Sequence, residues 1–224
     1  MSVMAFGAPI KDVNAARELA ATLKGERRAE YLASQRRSGC VRERIFIGES
    51  PMGPIQMMYR ESTNAGFRLA QVLSSSNPFD KFYMESVSKI AGVELGSRPA
   101  GPPAHLVFEW TTGERSRNCT MFMAPVPDAT KLWTFLREVS ARPGEHTESR
   151  QAMGLCFEQI FYLHDAKMIV GYLEGPDAQN AYRKMLQSTS TYDRWFVDQT
   201  QVVHGVDLRT MEMKSPELLV LFDA

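Results

Sequence analysis

The feature of this sequence that most constrains its fold is an internal repeat of about half the chain. Segments of the first half return in the second half in the same order, at a nearly constant offset of 113 to 116 residues. Gly39-x-x-x-Glu43-Arg44-Ile45-Phe46 returns as Gly154-x-x-x-Glu158-Gln159-Ile160-Phe161, and Asp80-Lys81-Phe82-Tyr83 returns as Asp193-Arg194-Trp195-Phe196. We therefore predict two copies of one folding unit, at 1–110 and 118–224, joined by a polar linker at 111–117.

Each half carries the same order of predicted elements, beginning with a short apolar strand that ends at a proline, at 3–8 in one half and 120–124 in the other. Asp12 and Asp128 are N-caps, each followed by apolar residues at i, i+3, i+4 and i+7, a spacing typical of a helix with one buried face. A pair of β-rich runs follows, then a second helical region broken near Asn77-Pro78 and Ser190-Thr191, and then a last strand. The predicted strands after the first helix are 41–48, 55–61 and 106–110 in one half, with a hairpin turn at 51–53, and 156–163, 168–174 and 218–222 in the other.

The resulting order, β-α-β-β-α-β, is that of the ferredoxin-like unit, an α+β arrangement in which helices cover one face of an antiparallel sheet. The other face of such a sheet must be covered as well, because a bare apolar face is not stable in water. A second copy on the same chain is held at high effective concentration. We therefore expect two ferredoxin-like repeats packed sheet to sheet.

Composition narrows the classes of partner. The 26 basic and 26 acidic side chains give a formal net charge of zero, so no basic field is available for nucleic acid. The chain has neither an apolar run of the ~18 residues that a membrane helix needs nor a signal peptide. We expect a cytoplasmic protein that binds neither nucleic acid nor membrane, with assembly into a homo-oligomer as an open alternative.

Cysteine, histidine and glycine patterns exclude several kinds of site. The three cysteines show no short pairing, and the four histidines lack the close spacings of a metal-binding helix, so we expect neither disulfides nor a metal site. Dinucleotide-binding, Walker and Gly-x-Ser-x-Gly motifs are absent from the sequence. We therefore expect no cofactor.

Four segments carry a resemblance to a known superfamily. They are Arg27-Arg-Ala-Glu-Tyr31, Phe79-Asp-Lys-Phe-Tyr83, Tyr192-Asp-Arg-Trp-Phe196 and His204-Gly-Val-Asp-Leu208. These segments are similar to parts of small, single-repeat, uncharacterised bacterial proteins of the dimeric α/β-barrel superfamily, in which two ferredoxin-like units associate. The resemblance implies an intrachain version of that fold. It does not choose a reaction, since the superfamily includes cofactor-independent monooxygenases, cyclases, isomerases, haem-binding enzymes and stress-responsive proteins.

The second half offers the stronger candidate site. His204, His146 and Tyr172 are the candidate catalytic residues, with Glu145 as a substrate-binding residue, because a histidine beside a carboxylate can act as a general base near neutral pH. Each has a structural alternative. His204, one residue before Gly205, could instead be a cation at a helix C-terminus. His146 and Glu145 could be solvated helical side chains, and Tyr172 a core tyrosine.

The first half departs from the second at the equivalent positions. Ala91 stands where the second half has His204, so two ancestral sites would no longer be equivalent. The candidate substrate-binding residues here are Arg27, Tyr31 and Tyr59, since arginine can clamp an oxyanion and tyrosine can donate a hydrogen bond to it. The structural alternatives are a solvated charged face for the helix and a core position for Tyr59.

Together these observations favour a small-molecule enzyme that acts on an apolar or aromatic substrate by proton abstraction, as a cyclase, an isomerase or a cofactor-independent oxygenase. Two alternatives stay open. One is a non-catalytic binding protein for an apolar ligand or haem. The other is a structural protein whose pockets are filled by its own side chains.

Overall fold

The computed structural model describes residues 1–50, 53–63, 74–94, 104–211 and 214–224. It has an α+β architecture with two four-stranded antiparallel sheets. The chain forms two compact units, the first made of Met1–Pro103 with Pro216–Ala224 and the second of Ala104–Ser215. Residues 51 and 52 of the hairpin turn predicted at 51–53 lie outside the described residues, as does the helical piece predicted before residue 74.

The first unit contains one sheet and three described helices. Its strands are β1 (Ser2–Pro9), β2 (Cys40–Ser50), β3 (Gly53–Ser62) and β8 (Glu217–Asp223), in the order β1-β3-β2-β8. Its helices are α1 (Val13–Lys24), α2 (Arg28–Arg37) and α3 (Pro78–Ala91). As the sequence predicts, the Asp12 carboxylate caps α1 by accepting a hydrogen bond from the Ala15 amide at 2.8 Å, and α1 buries Ala16, Ala20 and Leu23.

The second unit has the matching arrangement. Its strands are β4 (His105–Thr111), β5 (Cys119–Pro125), β6 (Phe157–Leu163) and β7 (Met168–Glu174), in the order β4-β6-β7-β5. Its helices are α4 (Ala129–Ser140), α5 (Pro143–Ala152), α6 (Ala181–Gln187) and α7 (Thr191–His204), with short 3-10 helices at Ala178–Asn180 and Leu208–Thr210. Apolar residues of these helices form one core with β6 and β7.

The compact units do not follow the boundaries expected from the sequence halves. The last strand of each half lies in the other half's sheet, β8 beside β2 and β4 beside β6. The compact units divide at 103/104 and 215/216, whereas the sequence repeats divide at 110 and 118, and residues 111–117 lie inside the second unit. The reason is that strand pairing is decided by which sheet edge offers unpaired backbone groups, and local sequence patterns do not encode that choice.

Helices in the described part of the chain were compared with the length and hydropathy that a bilayer span requires. None of them is both long enough and apolar enough to cross a membrane.

Candidate functional site

The second unit contains an apolar, partly open cavity of about 140 Å³ between one face of its sheet and its helices. Strand alternation decides which sheet residues reach it, because successive side chains point to opposite faces. Glu158 and Ile160 of β6 and Ile169 and Leu173 of β7 line the cavity. Residues of the other parity, such as Tyr172, do not.

One face of α7 forms a wall of the same cavity. Phe196, Thr200 and His204 follow each other at intervals of four residues, so they share one helical face, and all three line the cavity. The helix ends at His204 because Gly205 adopts a left-handed conformation with φ of 72°. The last side chain of α7 is thereby placed at one end of the cavity.

His204 is held as a neutral base. Its Nδ1 lies 2.7 Å from the backbone carbonyl oxygen of Pro125. Since a carbonyl oxygen only accepts hydrogen bonds, Nδ1 must carry the proton, and the lone pair of the neutral ring is on Nε2. Nε2 makes no hydrogen bond to any residue within the described ranges. Burial lowers the pKa of His204 and outweighs the opposing effect of the Pro125 hydrogen bond, which disfavours the alternative of a cation at the helix C-terminus.

A buried carboxylate, Glu158, organises the other polar side chains of the cavity. Its Oε2 accepts a 2.7 Å hydrogen bond from Nε of Arg150 and lies 3.2 Å from Nε2 of His146. Burial alone would raise the pKa of Glu158, but the charge of Arg150 and the hydrogen bonds from His146 and Arg150 outweigh it and lower the pKa to about 2. Glu158 is therefore an anion at neutral pH, and this anion fixes the state of its neighbours.

His146 has both ring nitrogens engaged. Because ionised Glu158 can only accept, Nε2 of His146 donates to it, and Nδ1 accepts a 2.8 Å hydrogen bond from the hydroxyl of Tyr192. Burial is the main cause that lowers the pKa of His146, so the ring is neutral at pH 7. Its side chain lines the cavity, but its lone pair is already occupied. Of the two histidines, His204 is the one with a lone pair left for a ligand.

Arg150 is a donor with unused capacity. Only 3% of the residue is exposed, and its guanidinium lies 4.3 Å over the ring of Phe196. Nε donates to Glu158 and Nη1 donates to Oγ of Ser149 at 3.2 Å. The Nη2 amino group makes no hydrogen bond to any residue that the structure describes. Arg150 lines the cavity, so these N–H groups are the ones left for a bound molecule.

Tyr182 is a second donor on the cavity wall. Its ring packs edge to face on Phe122, with centroids 5.1 Å apart, and both residues line the cavity. Its hydroxyl has no hydrogen-bond partner among the described residues. Burial, followed by the charge of Glu158, raises the pKa of Tyr182 well above its usual value. The hydroxyl is therefore protonated, and able to donate, throughout the physiological range.

In the first unit, the carboxylate equivalent to that of Glu158 belongs to Glu43, and it accepts hydrogen bonds from a different set of side chains. Glu43, 115 residues before Glu158, accepts hydrogen bonds from Tyr31 at 2.6 Å, from Gln35 at 2.8 Å and from Nη1 of Arg60 at 2.8 Å. The arginine comes from strand β3 in this unit and from helix α5 in the second unit. Where β3 has Arg60, the second unit has Leu173, which lines the cavity. Moving the positive charge to the helix leaves an apolar side chain beside the cavity in the second unit.

The structure brings together only some of the candidate residues. His204 and His146 line one cavity, whereas Tyr172 lies on the opposite face of the sheet, where its hydroxyl donates to Glu174 at 2.6 Å. Glu145 is exposed on α5. Tyr172 and Glu145 thus have the positions that their structural alternatives describe.

The first-half candidates each have partners of their own. Arg27 pairs with Glu30 and lies 4.0 Å over the ring of Phe82. Tyr31 is buried with its hydroxyl on Glu43, and burial is the main cause that raises its pKa. Tyr59 is fully buried, and its hydroxyl donates to Glu61 at 2.7 Å. None of the three lines the cavity of the second unit.

A metal centre was sought among side chains with ligating atoms. Within the ranges that the structure describes, no group of three or more His, Cys, Asp or Glu residues is placed to hold a metal ion.

Comparison with known proteins relates the chain to solved structures only. No family model matches the sequence, and no curated protein matches it. A protein from Lactobacillus acidophilus named "putative monooxygenase" is 15% identical with a TM-score of 0.56, over 100% of this chain and 97% of that one. An anthrone oxidase-like protein is 10% identical with a TM-score of 0.52, over 99% and 92%. At these identities the likeness shows the fold alone, and it confirms the expected α+β fold with two ferredoxin-like repeats.

Proposed function

We propose that this protein is a small-molecule enzyme that removes a proton from an apolar, one-ring substrate in the cavity of the second unit, with His204 as the general base. The observation that carries the proposal is the hydrogen bond between Nδ1 of His204 and the Pro125 carbonyl, 2.7 Å long. It leaves the Nε2 lone pair as the basic atom on a cavity wall that is otherwise mostly apolar.

The size of the cavity supports a small substrate. Its volume of about 140 Å³ is close to that of the ~150 Å³ engineered cavity that binds benzene, and below the ~300 Å³ at which pockets for drug-sized ligands begin. One aromatic ring fits it. A haem macrocycle does not fit, and the space is not filled by the protein's own side chains, so the geometry supports neither a haem site nor filled pockets. A non-catalytic protein for an apolar ligand would fit the same cavity, and the free lone pair of His204 favours the enzyme over it.

The proton that leaves the substrate and the negative charge that remains on it are stabilised by different residues. The substrate O–H or C–H bond breaks, its proton goes to Nε2 of His204, and its electron pair stays on the substrate as a phenolate or enolate. Arg150 and Tyr182 supply donors for the oxygen that takes up the charge, and such donors act strongly in a site from which water is excluded. His146 is a positioning residue, since it holds Glu158 and Tyr192 and has no lone pair left for substrate.

Oxygenation is the fate of the anion that the fold comparison favours, because two proteins of similar structure are named for oxidation. A carbanion and O₂ form a C–O bond, and the resulting peroxide anion takes the proton back from His204 to give a hydroperoxide. Every atom is then accounted for by substrate and O₂. Without O₂, return of the proton to another atom of the same ring would be an isomerisation.

The test is oxygen consumption with a panel of one-ring phenols and quinols, measured with an electrode on the full chain. We expect wild-type protein to consume O₂ with at least one member, and His204→Gln to lower that rate by at least about a hundredfold. His164→Gln is the matched control, since His164 is exposed in the loop after β6. Equal rates for wild type and His204→Gln would contradict the proposal, as would binding of the panel in the cavity without any proton transfer.

A further inference from the structure

We propose, resting on the function proposed above, that the ligand is a neutral one-ring molecule with an oxygen acceptor at the Arg150 end of the cavity and an acidic O–H or C–H at the His204 end, the two conjugated across the ring. Arg150 is then the residue that determines specificity. Its Nη2 amino group, left without a hydrogen-bond partner among the described residues, recognises the oxygen acceptor.

The spacing of the two ends comes from helix geometry. The guanidinium of Arg150 lies over the ring of Phe196 at 4.3 Å, and His204 follows Phe196 by eight residues on the same helix. Eight residues of α-helix rise about 12 Å, and side chains of one helical face lean in the same direction. Two hydrogen bonds of ~2.8 Å take up about half of that length. The length that remains is enough for one aromatic ring with a substituent at each end.

The two ends have opposite hydrogen-bonding character. Arginine has only donors, so Nη2 of Arg150 requires an acceptor such as a carbonyl oxygen. The Nε2 atom of His204 has only a lone pair, since Nδ1 carries the proton toward Pro125. It therefore requires a hydrogen on the ligand. A ligand that presents an acceptor at one end and a donor at the other matches the cavity in one orientation only.

The charge of the lining favours a neutral ligand. Glu158 and Arg150 form an ion pair whose charges cancel, and both histidines are neutral at pH 7 because burial lowers each pKa. A ligand that entered as an anion would find no uncompensated positive charge in this buried space. A neutral ligand that loses its proton to His204 instead creates an imidazolium opposite its own negative charge. Conjugation then carries that charge to the oxygen at Arg150.

Comparison of the two units supports this role for Arg150. In the first unit the helix position is Gln35, and the carboxylate obtains its arginine from β3. The first unit shows that an arginine on the strand can stabilise this glutamate, so the helix is not the only position from which an arginine could do so. From helix α5, the guanidinium of Arg150 reaches the ring of Phe196 on a wall of the cavity, and its Nη2 amino group is not used to bind Glu158.

The experiment uses 4-hydroxybenzaldehyde as the probe, with 3-hydroxybenzaldehyde and phenol for comparison. Affinity is measured by calorimetric titration of the full chain, and deprotonation by the long-wavelength absorption of the phenolate. We expect the para isomer to bind at least about tenfold more tightly than phenol or the meta isomer, the size expected for one hydrogen bond to a charged group. We also expect its phenolate band to appear on binding.

Two variants separate the roles of the two ends. Arg150→Gln should weaken binding of the para isomer about tenfold or more and change the affinity for phenol by less than about twofold. His204→Gln should abolish the phenolate band while binding persists. Arg183→Gln, on the exposed neighbour of Tyr182 in α6, is the matched control.

The outcomes distinguish this inference from the proposed function. If the para isomer binds no better than phenol to wild-type protein, the inference is overturned, and that comparison needs no variant to fold. Phenolate formation without any dependence on Arg150 would overturn the inference and leave the proposed function standing. A preference that depends on Arg150, without phenolate formation, would support the recognition and overturn the proposed function.

Discussion

The ion pair of Arg150 and Glu158 can be tested by moving the arginine from helix α5 to position 173 of strand β7. Arg150→Met removes the guanidinium that donates to Glu158 at 2.7 Å and keeps most of the side-chain volume. Arg150 and Glu158 are 3% and 6% exposed. Removing one partner of a buried ion pair costs about 3–5 kcal/mol, because the other charge is left uncompensated. We expect the free energy of unfolding of the second unit to fall by that amount.

The double variant Arg150→Gln with Leu173→Arg should recover most of the loss. It reproduces the arrangement of the first unit, where Gln35 and Arg60 each donate to Glu43 at 2.8 Å. Leu173→Arg alone should also be destabilising, since it buries a second cation beside one carboxylate. The double variant should therefore be more stable than the sum of its own two single changes, Arg150→Gln and Leu173→Arg, by at least ~2 kcal/mol, a large coupling for two residues that share one partner.

The assay is urea unfolding followed by tryptophan fluorescence. All three tryptophans, at positions 110, 133 and 195, belong to the second unit, so their emission reports that unit. Strict additivity of the two single variants, or a loss below ~1 kcal/mol for Arg150→Met, would refute the reasoning from charge compensation. The corresponding change in the first unit, Arg60→Met, serves as the control that the signal is specific to the second unit.

Four further predictions concern pH and the two faces of the sheet. Proton abstraction should increase with pH to a plateau with an apparent pKa below the usual 6.5 of histidine. Because the folded-state pKa values of His146 and His204 are lowered, the free energy of unfolding should decrease as pH falls below 6.5. It should decrease further between pH 4.5 and about 2, where Glu158 becomes protonated. A pH–rate profile checks the prediction on the reaction, and melting at each pH checks the prediction on stability. Tyr172→Phe should leave the rate unchanged and cost ~1 kcal/mol on urea unfolding, since its hydrogen bond to Glu174 lies on the other face; a slower reaction would contradict this placement. Gly171→Ala should cost ~1–3 kcal/mol and weaken ligand binding, because its Cβ would lie 1.9 Å from the ring of Phe122, which lines the cavity; calorimetric titration detects the loss, and unchanged affinity would refute it.

Much of the local structure could be predicted from the sequence because it depends on local patterns. The helical stripe from Leu132 to Val139 and the cap at Asp128 follow from side-chain periodicity and hydrogen bonding within one turn, and the structure has both. The α+β fold class follows from the order of these elements. The exchange of β4 and β8 between the sheets could not be predicted in this way, since it depends on pairing between strands far apart in the sequence.

Only some residues of the candidate site could be predicted from the sequence. The sequence indicates His204 and His146 because a histidine beside a carboxylate can act as a general base near neutral pH. Strand alternation could have excluded Tyr172, since it has the opposite parity to Leu173 on β7. Arg150 and Tyr182 were missed, because an arginine or tyrosine on a helix is more often solvated, and only the tertiary packing shows that both line a cavity.

One signal for Arg150 was present in the repeat. The second half keeps a glutamate at the position of Glu43 but replaces the arginine of β3 with Leu173. A buried carboxylate without its arginine requires another positive partner. The gain of an arginine where the first half has Gln35 supplies it, so comparison of the halves position by position would have indicated the cluster.

The protonation of His204 is the measurement that tests the central claim most directly. Nitrogen-15 NMR of the imidazole rings, assigned with His204→Gln, distinguishes a protonated Nδ1 from a protonated Nε2. At pH 7 we expect Nδ1–H and an unprotonated Nε2 whose chemical shift moves when 4-hydroxybenzaldehyde is added. A proton on Nε2, or an imidazolium ring at pH 7, would contradict the claim that this side chain is the base of the cavity.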